Sequence, residues 1–222
     1  MSIRSDQIVR CWTPVQNTLT VLWVCWILVS CNSSTPDGEV LKQISTLIGP
    51  NKKVLVLQPF EGFPEERTRW LAKQLENQGC KPVVNKPISL PRKARIGYKG
   101  SFRSRADTLL SYLAGFKGKD TLILGLTVTD ISHTNDLSSD YGIMGLGSAA
   151  KGTAVASAKR LEGATRWSKM VKLCIHEIGH MRGLPHCKEN KCIMRDAHHK
   201  DHLDELTGFC QSCMRTWKEG WL

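Results

Sequence analysis

Apolar positions along the chain fall into short blocks separated by proline and glycine. Lys53-Val54-Leu55-Val56-Leu57-Gln58, bounded by Gly49-Pro50 and Pro59, has the pattern of a buried strand. Pro64 suits the first helical position, and Trp70, Leu71 and Leu75 keep helical spacing up to Gly79. A short strand is expected at 82–84. Residues 86–105, interrupted by Pro87, Pro91, Gly97 and Gly100, read as a long loop or irregular hairpin. A second helix is expected over 106–116 and a buried strand over 121–128. Residues 129–151 are rich in Ser, Gly, Asp and Asn, with a short strand near Ile143-Met144, and one more strand covers 154–158. The most strongly patterned helix runs over 165–182, with Trp167, Met170, Val171, Cys174, Ile175 and Ile178 on one stripe. This order predicts one α/β (mixed α+β) domain over residues 51–222, built on a mixed sheet.

The N-terminal region carries a different pattern. Arg4 and Arg10 precede an apolar run from Leu19 to Val29. At about eleven residues it is short for a helix crossing a bilayer of about 30 Å, and it suits the core of a signal peptide. Leu28-Val29-Ser30-Cys31 resembles a bacterial lipobox, and Asn32 to Gly38 has the composition of a flexible tether. The expectation is a signal peptide over 1–30, a lipidated Cys31 with a tether over 31–50, and a lipid-anchored protein of the bacterial cell envelope. An uncleaved hydrophobic anchor or a misplaced start is the alternative.

Composition narrows the class. The 222 residues are 41 % hydrophobic and 23 % charged, which excludes disordered, collagen-like and multi-span membrane chains. A chain of this size buries roughly 70 % of its unfolded surface and needs no disulfide to fold. The net charge of +11 favours anionic surfaces. Nine cysteines are present, and their spacing carries the information.

His176 and His180 stand four apart on the patterned helix and share a face roughly opposite its apolar stripe. Glu177 lies to the side of the pair, within reach of a water activated there. Gly183 permits a sharp stop, Pro185 prevents continuation, and His186 follows. The string His176-Glu177-Ile178-Gly179-His180-Met181-Arg182-Gly183-Leu184-Pro185-His186 fits H-E-x-x-H-x-x-G-x-x-H. Three neutral imidazoles suit Zn²⁺ and leave a fourth position open, as catalytic zinc requires. Downstream, Cys187 and Cys192 have four residues between them, Cys210 and Cys213 two, and the pairs are 17 residues apart. They make a candidate tetrathiolate structural zinc site; two disulfides, or one disulfide and two free thiols, are the alternatives. The expected cofactor is therefore Zn²⁺, two per chain. Met194 is a candidate for a methionine turn beneath the metal, with a plain core methionine as the alternative.

From His176 through Cys213 the chain resembles the archaemetzincins, whose signature is H-E-x-x-H-x-x-G-x3-C-x4-C-x-M-x17-C-x-x-C. The match holds to Met194, after which 15 residues precede Cys210, a shortened loop. Gly125-Leu126-Thr127-Val128-Thr129-Asp130 is similar to the family as well, and the resemblance spans about 53–217. It implies a compact metzincin fold, a three-histidine catalytic zinc, a four-cysteine structural zinc and metallopeptidase chemistry. Glu177 would be the general base, and an extended peptide or protein substrate would lie along an edge strand near Ile143-Met144. Tyr141 is one candidate for stabilising the oxyanion, with a surface tyrosine the blander reading.

Other features point less far. His198, His199 and His202 read as a solvated loop, and Arg92, Lys93, Arg95, Lys99, Arg103 and Arg105 as a solvated basic face, with anionic lipid headgroups or an acidic substrate as alternatives. Cys80 and Cys174 read as free thiols. Arg182 either binds a carboxylate terminus or is exposed. Rival functions are a zinc-bound pseudo-enzyme that captures peptides, and a zinc-ribbon nucleic-acid module, against which the export signal argues. No nucleic-acid partner is expected, and the chain is expected to be a monomer.

Overall fold

The computed structural model describes residues 53–136, 138–197 and 201–219. The expected signal segment and Cys31 lie outside the described residues. Nine strands and four α-helices are present among the described residues. In chain order they are β1 (Val54–Pro59), α1 (Glu65–Glu76), β2 (Val83–Val84), β3 (Arg95–Tyr98), β4 (Ser101–Arg105), α2 (Ala106–Ala114), β5 (Thr121–Thr127), β6 (Ile131–Asn135), β7 (Ser138–Ile143), β8 (Gly145–Ser148), β9 (Thr153–Ser157), α3 (Arg166–Met181) and α4 (Gln211–Glu219).

The larger sheet has the order β2-β1-β5-β9-β8. Four of its strands are parallel, while β8 runs antiparallel to β9 and closes one edge. The long apolar runs are explained by helices on both faces. Leu55, Leu57, Leu122, Leu124, Ala154 and Ala156 pack with Leu71 and Leu75 of α1 and Met170, Cys174 and Ile178 of α3. Val54, Val56, Ile123 and Val155 alternate to the other face and meet Leu109, Leu110 and Leu113 of α2. A second sheet has the order β3-β4-β6-β7.

Two local expectations need correction, and for 86–105 the hairpin alternative holds. Pro64 is the N-cap of α1, with extended ψ of 127°, one position before the first helical residue. Its ring fixes φ, and its carbonyl receives the Thr68 N–H at 3.0 Å. The segment 86–105 contains an ordered hairpin, because Lys99 (φ 45°) and Gly100 (φ 74°) form its two-residue turn between the paired Tyr98 and Ser101. The polar stretch 129–151 forms three strands, not one short strand near Ile143-Met144. Ile131 and Ser132 of β6 are buried while β7 and β8 are only partly covered, so no continuous apolar run marks them.

Candidate active site

Helix α3 is buried around most of its circumference. Met170, Leu173, Cys174, Ile175, Ile178 and Met181 are buried in the core, and Glu177 retains only 3 % of its exposure. The apolar stripe is broader than expected on one side, since Leu173 and Met181 join it, while Trp167 and Val171 are half-buried. The helix is pressed on its opposite side by β8, and that contact covers Glu177.

A Schellman arrangement ends α3: Leu184 N–H donates to the Gly179 carbonyl at 3.0 Å and Gly183 N–H to that of His180 at 3.0 Å. Gly183 has the required positive φ of 86°. The chain then reverses and brings His186 back to the other two histidines. His176, His180 and His186 each offer a nitrogen within 4.8 Å of the others.

Two of the imidazoles are oriented by backbone carbonyls. Nδ1 of His176 donates to Ile193 O at 2.7 Å, and Nδ1 of His180 to Leu184 O at 2.9 Å. That tautomer leaves both Nε2 lone pairs facing each other across 3.0 Å. Two such lone pairs repel unless a cation lies against both. Tetrahedral zinc with Zn–N of about 2.0–2.1 Å separates its nitrogens by about 3.3 Å, so the pair is spaced for that ion. Burial pushes the His176 pKa down to about 4, which keeps the ring neutral and able to ligate. His186 is more exposed, and its Nδ1 lies 3.5 Å from Oδ2 of Asp196.

Glu177 sits under the edge strand. A Cβ on Gly145 would fall 2.2 Å from Oε1 of Glu177, and one on Gly147 would meet the Glu177 carbonyl at 2.7 Å. Glycine at both positions lets β8 descend onto the helix. Burial pushes the Glu177 pKa up to about 8, and its Oε2 has no hydrogen-bond partner. An orphaned carboxylate oxygen beside three convergent imidazoles is suited to a water or a substrate N–H.

The second cluster lies one residue beyond His186. Cys187, Cys192, Cys210 and Cys213 bring their sulfurs within 4.8 Å of one another, and Sγ of Cys187 and Cys210 are 3.8 Å apart. All four are free thiols. Tetrahedral zinc with Zn–S of about 2.3 Å separates its sulfurs by about 3.8 Å, so the thiols fit that ion where the disulfide alternatives do not apply. Backbone N–H groups of Cys210 and Glu189 point at Sγ of Cys192 and Cys187, at 3.4 and 3.5 Å, as thiolates prefer.

Met194 is fully buried beneath α3. A Cβ at Gly179 would meet its sulfur at 2.5 Å, so the thioether occupies the space of the absent side chain between the two helical histidines. This close pairing of Gly179 with Met194 was a signal available within the motif that sequence reasoning did not use.

An open cleft of about 1030 Å³ runs over the three histidines and Glu177. Its wall is β8, which is the true edge of the larger sheet; Ile143 and Met144, the expected position, lead into it. Tyr141 lines the cleft. Arg103 departs from the solvated-face reading: it is buried, holds Asp130 at 2.5 Å and Asp140 at 3.3 Å, and stacks on Tyr98. Arg160 binds the same Asp130 at 2.7 Å. Arg92, Lys93, Arg95 and Lys99 remain exposed. Arg182 takes neither expected role; it is half-buried over the Trp217 ring and donates to that residue's carbonyl, tying α4 to the end of α3. His202 is held by Glu205 at 2.9 Å, and His198 and His199 lie outside the described residues.

Two imidazoles and a glutamate on one helix, joined beneath an antiparallel edge strand by a third imidazole from beyond the helix end, are the donor set and scaffold of a zinc metallopeptidase. The chain belongs to peptidase family M54, whose family model matches residues 76–219. It is similar to the archaemetzincin of Methanopyrus kandleri, 31 % identical over 135 residues that cover 59 % of this chain and 74 % of the relative. The archaemetzincin of Nanoarchaeum equitans is 32 % identical over 135 residues, 60 % of this chain and 72 % of that one. The crystal structure of the Methanopyrus kandleri archaemetzincin superimposes with a TM-score of 0.65 at 25 % identity, covering 78 % of this chain and 97 % of the other.

Proposed function

We propose that the chain is a metzincin-type peptidase in which His176, His180 and His186 hold a catalytic zinc, and Cys187, Cys192, Cys210 and Cys213 a structural one. The observation that carries this reading is the buried Glu177, with Oε2 unpartnered, next to three imidazole nitrogens within 4.8 Å of one another. When bound at the imidazoles, zinc would supply Lewis acidity, polarising a carbonyl and lowering the pKa of a water to about 7.

The chain's own groups supply the rest. Glu177 accepts the proton of the attacking water on its carboxylate as the C–O bond forms, and then returns it to the amide nitrogen as the C–N bond breaks and the amine leaves. Burial alone holds the Glu177 pKa up at about 8, and a cation held at the imidazoles would favour its ionised form, the form that acts as a base. The free edge of β8 offers main-chain hydrogen bonds to an extended peptide and holds its carbonyl over the histidines. Gly145 and Gly147 bring that edge close enough for the peptide to meet Glu177.

The proposal extends to location. The segment Leu28-Val29-Ser30-Cys31 supports lipidation at Cys31, which would hold the enzyme at the cell envelope facing peptide or protein substrates. Among the described residues no helix is long and apolar enough to cross a membrane.

The test compares wild type with Glu177→Gln on a diverse peptide library read by mass spectrometry, with zinc content measured in parallel. Cleavage by wild type, reduced about 10²–10⁴-fold in the variant with zinc retained, is the expected result. Zinc-loaded wild type that binds peptides and cleaves none would instead establish the peptide-capture reading.

A further inference from the structure

The three histidines differ in what holds them. His176 and His180 stand on a helix and donate from Nδ1 to carbonyls of Ile193 and Leu184, at 2.7 and 2.9 Å. His186 follows the helix stop, on a chain reversal, and its side chain keeps 48 % of its exposure. Among the described residues its Nδ1 meets the carboxylate of Asp196, at 3.5 Å, and Asp196 is itself 39 % exposed.

The backbone enforces that meeting. Cys187 pairs with Arg195 in an isolated parallel bridge, and Cys187 N–H donates to Met194 O at 2.7 Å. His186 and Asp196 flank this bridge, so the loop that returns His186 to the helix also delivers the carboxylate. A site of three neutral imidazoles around a dication carries +2 with no charged ligand, and a nearby carboxylate offsets half of it.

We infer that Asp196 is the positioning residue of the metal site: its carboxylate fixes the tautomer and orientation of His186 so that Nε2 ligates, and it sets the affinity for zinc. The inference rests on His186 being a metal ligand. A carboxylate behind a ligating imidazole raises the ligand's basicity, and loss of such a partner costs about 10–100-fold in metal affinity.

The experiment uses the full zinc-loaded chain and titrates it with a competing chelator, for wild type, Asp196→Asn and Asp196→Glu. Cobalt substitution separates the two sites, because only the four-thiol site gives thiolate-to-metal absorption. The expected result is a 10–100-fold loss of affinity at the three-histidine site in Asp196→Asn, with the four-thiol signal unchanged and the melting temperature unchanged when the histidine site is stripped of metal, and recovery toward wild type in Asp196→Glu. Equal affinity in wild type and Asp196→Asn overturns the inference, as does an Asp196→Glu variant as weak as the asparagine one. Wild type that fills the four-thiol site and binds no metal at the histidines overturns the metallopeptidase reading together with it.

Discussion

Gly145→Ala is the sharpest probe of how the site is built. The added Cβ would lie 2.2 Å from Oε1 of Glu177, 2.6 Å from its Cδ and 2.8 Å from its Cγ. Ordinary contact needs roughly 1 Å more, so the glutamate or the strand must move by about that distance. A displacement of about 1 Å at a reacting group costs on the order of 10²-fold in rate. The three atoms nearest this methyl all belong to Glu177 and none to an imidazole, so zinc should remain bound with unchanged affinity. Overpacking is expected to lower stability by about 1–3 kcal/mol, partly offset by reduced freedom of the unfolded chain. The assay is kcat and KM on any cleaved library peptide, with zinc stoichiometry and a urea melt. A kcat near that of wild type would refute the claim that Gly145 sets the position of Glu177. Gly147→Ala is the internal comparison: its Cβ meets the Glu177 carbonyl and His180 Cβ, each at 2.7 Å. That substitution presses on the helix backbone and a ligand, so it should reduce zinc affinity as well as rate.

Three further outcomes are expected. Gly179→Ala places a methyl 2.5 Å from the Met194 sulfur and should destabilise the protein by about 1–3 kcal/mol in a urea melt; the double variant with a smaller side chain at Met194 should recover part of that. Cys192→Ser should empty the four-thiol site and also weaken metal binding at the histidines, because Ile193, whose carbonyl orients His176, is its neighbour; zinc analysis after dialysis should show less than one equivalent. Asp130 is pulled up by burial but held below the ordinary carboxylate range by hydrogen bonds from Arg160 and Arg103. Its pairing therefore stabilises the fold fully above the unfolded carboxylate pKa, and that contribution is lost as pH falls through the depressed folded value. Urea midpoints in that acid window should fall less steeply for Asp130→Asn than for wild type.

What was legible in the chain depended on whether a residue's environment left a local mark. The runs at Val54 to Leu57 and Thr121 to Leu126 are buried on both faces, so hydrophobicity alone marked them as strands. The candidate metal donors were equally plain, since H-E-x-x-H-x-x-G-x-x-H marks three histidines, a helix stop and a reversal at once, and the fold brings the three imidazoles together. Strands β6 to β8 were obscured because their pairing is carried by the backbone and one of their faces borders an open cleft. In β8 the two glycines are there for what they leave out, and only the position of Glu177 reveals why. Arg103 was misread for a related reason: its partners Asp130 and Asp140 lie 27 and 37 residues away, and no periodicity reports such pairs.

The four-thiol cluster is tied to the histidines by the chain between Cys187 and Asp196. Cys187 directly follows His186, and its N–H is held by the Met194 carbonyl at 2.7 Å. Cys192 is followed by Ile193, which orients His176, and by Met194, which fills the notch at Gly179. Ile193 N–H in turn reaches Gly208 O at 2.8 Å, close to Cys210. A loop with this composition has few buried apolar groups of its own to fix it against the helix. A metal ion held by the four thiols would tie Cys187, Cys192 and the Cys210–Cys213 segment to one centre and remove that freedom, with the groups that orient His176 and His186 then held close to a fixed sulfur. Precision at the histidines is thus set from outside the helix that carries two of them, which is why a defect among the thiols should appear first as weakened metal binding at the imidazoles.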